Sequence, residues 1–223
     1  MAAFLDKEKT RTIPMLIRVP VFPNVKNLSR QEEERKLMAL FKHHLKGHLV
    51  VDFGCGTSYY TGTKDVIGCD LDVVLLKKAK VEHKIHCDFR YSPIRKGCVD
   101  GIVMCHSLEH SNLPQDSLIE AHRILRKGGV LAVSVPNLLS SQSLYNLISR
   151  QKVLAMGSDH LTVFTPRLLR ELLNACGFTL KQISGDVVYL PYMQKIGLLK
   201  LGFWLATKIP RLANVVIGIG IKR

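Results

Sequence analysis

The sequence has 223 residues, of which 47% are hydrophobic and 22% are charged, and its formal net charge is +14. A chain of this length and composition is sufficient for one well-filled α/β domain with additional elements. Its six cysteines include no C-x-x-C pair, which disfavours a disulfide framework or a zinc site and predicts reduced, buried thiols in a cytoplasmic protein.

The N-terminal region precedes the first predicted strand. Its first residues are charged and lack the apolar segment of a secretory signal. Residues 1–28 contain three prolines and scattered charges, so we predict an extended arm. Ser29 and Glu32 form a capping box, which apolar residues at helical spacing follow. The sequence therefore predicts a helix over residues 30–46 and a single domain over residues 29–223.

An apolar stretch that ends in an acid and two glycines comes next. Residues 48–58 read H-L-V-V-D-F-G-C-G-T-S, with Asp52, Gly54 and Gly56 after a β-branched run. Such a run predicts a strand buried on both faces of a parallel sheet, whose carboxyl edge is where ligands bind. Tyr59 replaces the third glycine of a dinucleotide fingerprint, which disfavours a pyrophosphate site. We predict a nucleotide-like cofactor site, with a plain strand and glycine turn as the alternative.

The second predicted strand, Val66–Asp72, also ends in acids. Asp70 lies 18 residues after Asp52. In doubly wound folds an acid at about this spacing of roughly 20 residues accepts hydrogen bonds from ribose hydroxyls. The alternative is that Asp70 caps a helix over residues 73–80, for which Asp72 is the better cap.

The third and fourth predicted strands lead to further candidate residues. Lys84–Cys87 is followed by Asp88, which is placed to contact an adenine amino group. Val99–Cys105 runs into His106-Ser-Leu-Glu-His110. This pentapeptide matches the H-x-x-E-H signature of zinc peptidases, which belongs inside a long helix, whereas here it directly follows a strand. We therefore predict loop chemistry beside the cofactor and no metal site.

The second half of the chain completes the alternation of helices and strands. Its predicted elements are a helix over 117–125 stopped by Lys127-Gly-Gly129, a strand over 130–135, a helix from Thr165-Pro166 to Ala175 closed by Gly177, and strands over 178–184 and 213–222. Residues 138–163 and 187–210 are predicted as lid or acceptor-side elements. The apolar segment 194–208 is too short to span a bilayer and has no clean basic stripe, which favours burial against the sheet or a partner.

Six segments of this array, in this order, resemble class I S-adenosylmethionine-dependent methyltransferases, in particular the methyltransferase type 11 (ubiquinone/menaquinone-biosynthesis-like) group. The segments are Val50–Gly56, Ile67–Asp70, Cys87–Asp88, Val99–His110, Arg123–Leu131 and Phe164–Phe178. The resemblance implies an α/β fold with a Rossmann-like, seven-stranded, mostly parallel sheet, an antiparallel last strand and helices on both faces.

The resemblance also implies S-adenosylmethionine as the cofactor. The implied cofactor-binding residues are Asp52, Gly54 and Gly56 around the methionine part, Asp70 at the ribose, Asp88 at the adenine and His106 on the sulfonium side, together with Leu71 and Phe89.

The chemistry of such a cofactor determines what the protein has to supply. Because a sulfonium is a good leaving group, the main task is to hold an acceptor in line with the methyl carbon in a site cleared of water. A hydroxyl acceptor also needs a base, for which His106, His110 and His160 are the candidates. The alternative is that these histidines are structural.

The distribution of charge bears on the acceptor. Residues 1–50 contain 10 basic and 5 acidic residues, residues 51–136 contain 11 and 10, and residues 137–223 contain 11 and 3. Basic flanks suit an anionic acceptor, an anionic lipid or a nucleic acid, or they serve only solubility. We predict methyl transfer to a small or lipid-like acceptor. RNA methylation and a non-catalytic partner-binding role are the alternatives, and peripheral membrane contact is a further prediction.

Overall fold

The computed structural model describes residues 49–57, 66–149, 159–189 and 198–223, together with Ala39 and Val153. The predicted arm over residues 1–28 lies outside this part of the chain. The predicted helix over residues 30–46 also lies outside it except for Ala39, which is helical.

The described residues contain one seven-stranded sheet with the order β3-β2-β1-β4-β5-β7-β6. The strands are β1 (Val50–Phe53), β2 (Val66–Asp70), β3 (His83–His86), β4 (Val99–Cys105), β5 (Leu125–Pro136), β6 (Phe178–Gly185) and β7 (Val215–Lys222). In sheet order, β3, β2, β1, β4 and β5 are each parallel to their neighbours in this series. β7 is antiparallel to both β5 and β6. The predicted Rossmann-like sheet with an antiparallel last strand is therefore confirmed.

Helices lie on both faces of this sheet. They are α1 (Val73–Lys78), α2 (Pro114–Ile124), α3 (Ser141–Ile148), α4 (Pro166–Ala175) and α5 (Leu199–Lys208). Val51 and Phe53 belong to an apolar cluster that includes residues of α2 and α4, while Val50 belongs to a second cluster that includes Leu76 of α1. Successive residues of β1 thus face opposite layers, as a strand buried on both sides requires.

The connection between α2 and β5 differs from the prediction. The helix predicted over residues 117–125 begins earlier, at Pro114, and ends before Leu125, which is already extended and pairs with Val99 of β4. The strand pairing then shifts its register before it continues. Lys127-Gly-Gly129, whose middle glycine has a φ of +77°, lies within this irregular part of β5 and does not stop the helix.

The apolar segment near the C-terminus is buried on one side only. Ala206 of α5 is fully buried and packs with Val188 and Ala213. Trp204, in contrast, is 56% exposed. The face that carries Trp204 is therefore not buried against the sheet, and its predicted alternative, burial against a partner, stays a prediction. None of the helices in the described part of the chain has the length and apolar run to cross a membrane.

We expect Thr165→Ala to lower the free energy of unfolding by about 1 kcal/mol, because it removes the N-cap of α4. The Leu168 amide donates a hydrogen bond of 3.2 Å to Oγ1 of Thr165, and Pro166 occupies the first helical position, as predicted. Urea denaturation measures the effect, and Thr165→Ser is the control because it keeps the acceptor oxygen. An equal loss in both variants would show that the methyl group stabilises the helix start.

Candidate functional site

Asp52, Gly54 and Gly56 lie together at the carboxyl end of β1. The amides of Gly54 and Cys55 both donate to the carbonyl oxygen of Cys69 on β2, at 2.8 and 3.1 Å. The two glycines have φ angles of +72° and +52°, in the left-handed region that favours glycine. The chain therefore turns sharply across the end of the neighbouring strand.

Asp70 connects this glycine turn to the turn after β2. Its Oδ2 accepts a hydrogen bond of 2.7 Å from the Gly56 amide, and its Oδ1 accepts one of 2.8 Å from the Asp72 amide. Asp72 caps α1 by accepting from two amides of its first turn, so the alternative that Asp70 is the cap is wrong. Leu71, between the two acids, is 66% exposed and offers an apolar surface at this edge.

The two glycines of the turn have different surroundings. A Cβ placed on Gly54 would lie 2.4 Å from Cβ of Ser107, so the turn packs directly against the loop that follows β4. A Cβ placed on Gly56 would meet none of the described residues within 4 Å. The space beside Gly56 is therefore open to a ligand, whereas Gly54 is required by the packing of the protein itself.

Asp52 is a buried acid with unused hydrogen-bonding capacity. Its Oδ2 has no partner among the described residues, and the residue is 1% exposed. Burial, and secondly the nearby charge of Asp70, raise the pKa of its carboxyl from 3.8 to about 7. A buried acid of this kind is costly to ionise unless a ligand supplies a donor or a positive charge.

Asp88 and Phe89, both predicted to bind the cofactor, have partners within the protein. Nε and Nη2 of Arg90 donate to the Asp88 carboxylate, at 2.5 Å for the shortest contact, and the pair lowers the pKa of Asp88. The ring of Phe89 stacks on Phe53 with centroids 5.7 Å apart. The adenine contact of Asp88 stays a prediction, and it would have to be made beside Arg90.

His106 lies at the end of β4 in a strained conformation. Its φ is +49°, a value that is uncommon outside glycine and that occurs often at functional sites. Its Nδ1 lies 3.2 Å from Oε1 of Glu109, which is 1% exposed. The loop thus directs His106 toward a buried carboxylate, next to the Ser107 that packs on Gly54.

The structure brings His110 and His160 together from distant parts of the sequence. Their ring centroids are 5.0 Å apart in an edge-to-face arrangement. The amides of Leu161 and Thr162 donate to the carbonyl oxygen of Glu109, at 2.9 and 3.1 Å. All three histidines predicted as candidate bases are therefore associated with the loop after β4.

Glu109 and Ser107 are site residues that the sequence analysis did not identify. Glu109 is part of the H-x-x-E-H match, which was its only signal in the sequence. Its burial and its contact with His106 depend on the short 3-10 turn over Leu108–His110. Ser107 is identified only by its contact with Gly54.

Comparison with known proteins agrees with this geometry. The family model of the methyltransferase domain matches residues 51–133, the range that contains the glycine turn, Asp70 and the loop after β4. A probable S-adenosylmethionine-dependent methyltransferase from Mycolicibacterium smegmatis is 26% identical over 153 residues. The match covers 64% of this chain and 56% of that protein, so the chain spans about half the length of this relative.

Solved structures share the fold. A SAM-dependent methyltransferase from Thermotoga maritima matches with a TM-score of 0.65 and 18% identity, over 91% of this chain and 96% of that one. Geranyl diphosphate C-methyltransferase from Streptomyces coelicolor matches with a TM-score of 0.56 and 17% identity, over 89% and 83%. At these identities the likeness shows the fold alone.

Proposed function

We propose that the chain transfers a methyl group from S-adenosylmethionine to a small or lipid-like acceptor by in-line displacement, since the family model of the methyltransferase domain matches residues 51–133. The observation that carries this proposal is the open space at Gly56, which lies beside Asp70 and the buried acid Asp52. A cofactor with a cationic amino acid part and a ribose matches these groups in charge and in hydrogen bonding.

The residues at this edge fit that cofactor. Asp52 would lie near its positively charged methionine part, where a partner for Oδ2 would offset the cost of burial. Each oxygen of Asp70 accepts one amide and retains a lone pair for a ribose hydroxyl. The exposed Leu71 would lie against the adenine. When bound, S-adenosylmethionine supplies a methyl group on a sulfonium leaving group.

Residues of the chain would hold the acceptor and accept its proton. His106 is adjacent in sequence to Ser107, which packs on Gly54, and its Nδ1 lies 3.2 Å from Oε1 of Glu109. A hydrogen bond from Nδ1 to this carboxylate would leave the lone pair on Nε2, as a general base requires. His110 and His160 are further candidates for the same role. We place the acceptor on the side of the site that these histidines line.

The acceptor side carries exposed apolar residues, which supports a small or lipid-like acceptor. Leu161, next to His160, is 64% exposed, and Leu139 is 47% exposed. The main chain of Leu138 donates to the carbonyl oxygen of Phe164, so the regions that carry Leu139 and Leu161 are neighbours. Geranyl diphosphate, which is named for the Streptomyces structure, carries an apolar chain that such exposed apolar residues could contact. We include the ubiquinone/menaquinone-biosynthesis-like group in our proposal because of the same apolar residues.

Three other roles compete with this proposal. The 11 basic and 3 acidic residues of 137–223 suit RNA, and the exposed Trp204 of α5 suits contact with a membrane surface. The chain could instead use its fold for non-catalytic partner binding. A methyl-transfer assay distinguishes catalysis from non-catalytic partner binding, and the class of the labelled product distinguishes RNA from a small or lipid-like acceptor.

Asp70→Ala should weaken S-adenosylmethionine binding by roughly 10- to 100-fold, since hydrogen bonds to a charged group contribute about 1.5–3 kcal/mol. Titration calorimetry of the purified protein measures the affinity. Asp72→Ala is the matched control, because it removes a cap of α1 and leaves the carboxylate beside Gly56. No binding by the wild-type protein would exclude the catalytic function.

The acceptor class is determined by following a radiolabelled methyl group into separated lipid, small-molecule and RNA fractions of a cell extract. We expect label in the lipid or small-molecule fraction. Label in RNA, with an RNA affinity that falls steeply as salt rises, would replace the proposed acceptor.

A further inference from the structure

Glu109, His110 and His160 form a cluster whose ligand atoms all lie within 4.8 Å of one another. One carboxylate oxygen and two imidazole nitrogens make up the set. Two residues come from the 3-10 turn after β4, and His160 comes from a segment 50 residues further along the chain. The cluster is separate from Asp52, Gly56 and Asp70, and the proposed methyl transfer does not explain why these three side chains converge.

The burial of Glu109 indicates that this cluster holds a cation. The residue is 1% exposed, and its Oε1 lies 3.2 Å from Nδ1 of His106. Its Oε2 is buried and has no hydrogen-bond partner among the described residues. A buried carboxylate oxygen without a partner is costly, and a bound cation would remove that cost.

His110 and His160 are held in place by neighbouring groups, as metal-binding histidines usually are. Nδ1 of His110 lies 3.0 Å from the carbonyl oxygen of Asp159. Because a carbonyl oxygen can only accept a hydrogen bond, Nδ1 carries the proton in this contact. The ring then carries its lone pair on Nε2, and such support of a ligating imidazole is typical of metal sites. The hydrogen bonds from the Leu161 and Thr162 amides to Glu109 fix the segment that carries His160.

We propose that Glu109, His110 and His160 bind one divalent transition-metal ion, and that its open coordination positions take the oxygen of a hydroxyl-bearing acceptor. Two imidazoles and one carboxylate suit zinc, cobalt, iron or manganese better than magnesium or calcium, which prefer oxygen ligands. Three protein ligands leave positions open, as in catalytic metal sites. This set differs from the peptidase signature, because His160 replaces the first histidine of that motif.

This inference rests on the proposed function, since it names the acceptor of the same site. A metal ion lowers the pKa of a hydroxyl that it binds. In the transfer the acceptor oxygen would bond to the methyl carbon while the carbon–sulfur bond breaks and its electron pair returns to sulfur. The hydroxyl proton would pass to solvent water.

Cobalt binding to untagged, chelator-treated protein tests the metal site. Co²⁺ titration followed by visible absorbance, with elemental analysis after desalting, should give one ion per chain. Glu109→Gln and His160→Ala should each weaken Co²⁺ binding at least tenfold, while His83→Ala, at an exposed histidine on β3, should not. Far-UV circular dichroism of each variant reports whether it folds. Unchanged Co²⁺ affinity in both folded cluster variants would overturn the proposal.

Cofactor binding separates this proposal from the proposed function. The chelated protein should still bind S-adenosylmethionine in calorimetry, because Asp52, Gly56 and Asp70 lie outside the cluster. Cofactor binding without Co²⁺ binding would overturn the metal site alone. Co²⁺ binding without cofactor binding would keep the metal site and overturn the methyltransferase function together with the role of the metal in binding the acceptor. If the protein binds both Co²⁺ and the cofactor, addition of Co²⁺ or Zn²⁺ to the chelated protein should restore transfer of the radiolabelled methyl group to hydroxyl compounds of the fraction that accepts the label.

Discussion

Asp52→Asn should stabilise the protein above pH 7 in the absence of cofactor and at the same time weaken S-adenosylmethionine binding. The pKa of the Asp52 carboxyl is about 7 in the folded protein, because of burial first and the charge of Asp70 second, against an ordinary value of 3.8. Asparagine has a similar shape and never ionises. The variant therefore removes the cost of a buried negative charge.

The sign of the pH dependence follows from the raised pKa. Between about pH 4 and pH 7 the folded state keeps the proton of Asp52 and the unfolded state has lost it, so the contribution to stability falls as the pH rises through this window. Above pH 7 both states are ionised and the contribution no longer changes. A difference of about three pKa units corresponds to at most about 4 kcal/mol.

Urea denaturation at pH 5, 6, 7 and 8 tests this prediction. The free energy of unfolding should fall with pH more steeply for the wild type than for Asp52→Asn, and the two curves should diverge up to pH 7. Asp72→Asn, at an exposed acid, is the matched control and should follow the wild type in slope. Parallel curves for Asp52→Asn and wild type would show that Asp52 has an ordinary pKa.

The same substitution should lower the affinity for S-adenosylmethionine at least tenfold at pH 8, where the wild-type carboxylate is charged and would face the cationic part of the cofactor. At pH 5.5 the wild-type carboxyl is largely protonated, so the two affinities should approach each other. This convergence distinguishes an electrostatic role of Asp52 from a purely structural one, for which the affinity ratio would stay constant.

The strands and helices with strong local patterns were predictable from the sequence. β4 is observed over the predicted residues Val99–Cys105, because the apolar run over residues 102–105 is typical of a strand buried on both faces. α4 has its predicted start and end, since Thr165-Pro166 and Gly177 are strong local signals. The early start of β5 was not predictable, because pairing with β4 extends Leu125 despite its position beside a helix.

The site was predictable where it depends on the order of strands and not where it depends on side-chain pairing. Asp52, Gly56 and Asp70 meet because adjacent parallel strands end at one edge, which the chain order already implies. The pairing of Asp88 with Arg90 was missed because several partners were available to that carboxylate. The contact between His110 and His160 joins residues 50 positions apart, and no local pattern encodes it.

The two glycines of the turn should separate protein stability from cofactor binding. Gly54→Ala would place a Cβ 2.4 Å from Cβ of Ser107 at a φ of +72°, so it should destabilise the protein by about 2–4 kcal/mol through strain and overpacking. Gly56→Ala has a φ of +52°, and the new Cβ has no neighbour within 4 Å in the described part of the chain, so it should cost only about 1–2 kcal/mol. Its methyl group should instead occupy the open space and weaken S-adenosylmethionine binding at least tenfold.

Ser107→Gly provides the decisive comparison, because it removes the atom that Gly54→Ala would contact. The double variant Gly54→Ala/Ser107→Gly should recover part of the stability lost in Gly54→Ala, whereas Ser107→Gly should give no recovery in combination with Gly56→Ala. Urea denaturation gives the stabilities of the wild type, the three single variants and the two double variants, and calorimetry gives their cofactor affinities. Recovery of stability by Ser107→Gly with both glycine variants would mean that Ser107 acts through the flexibility of its loop. In that case direct packing of the loop on Gly54 would not be the reason that this turn requires a glycine.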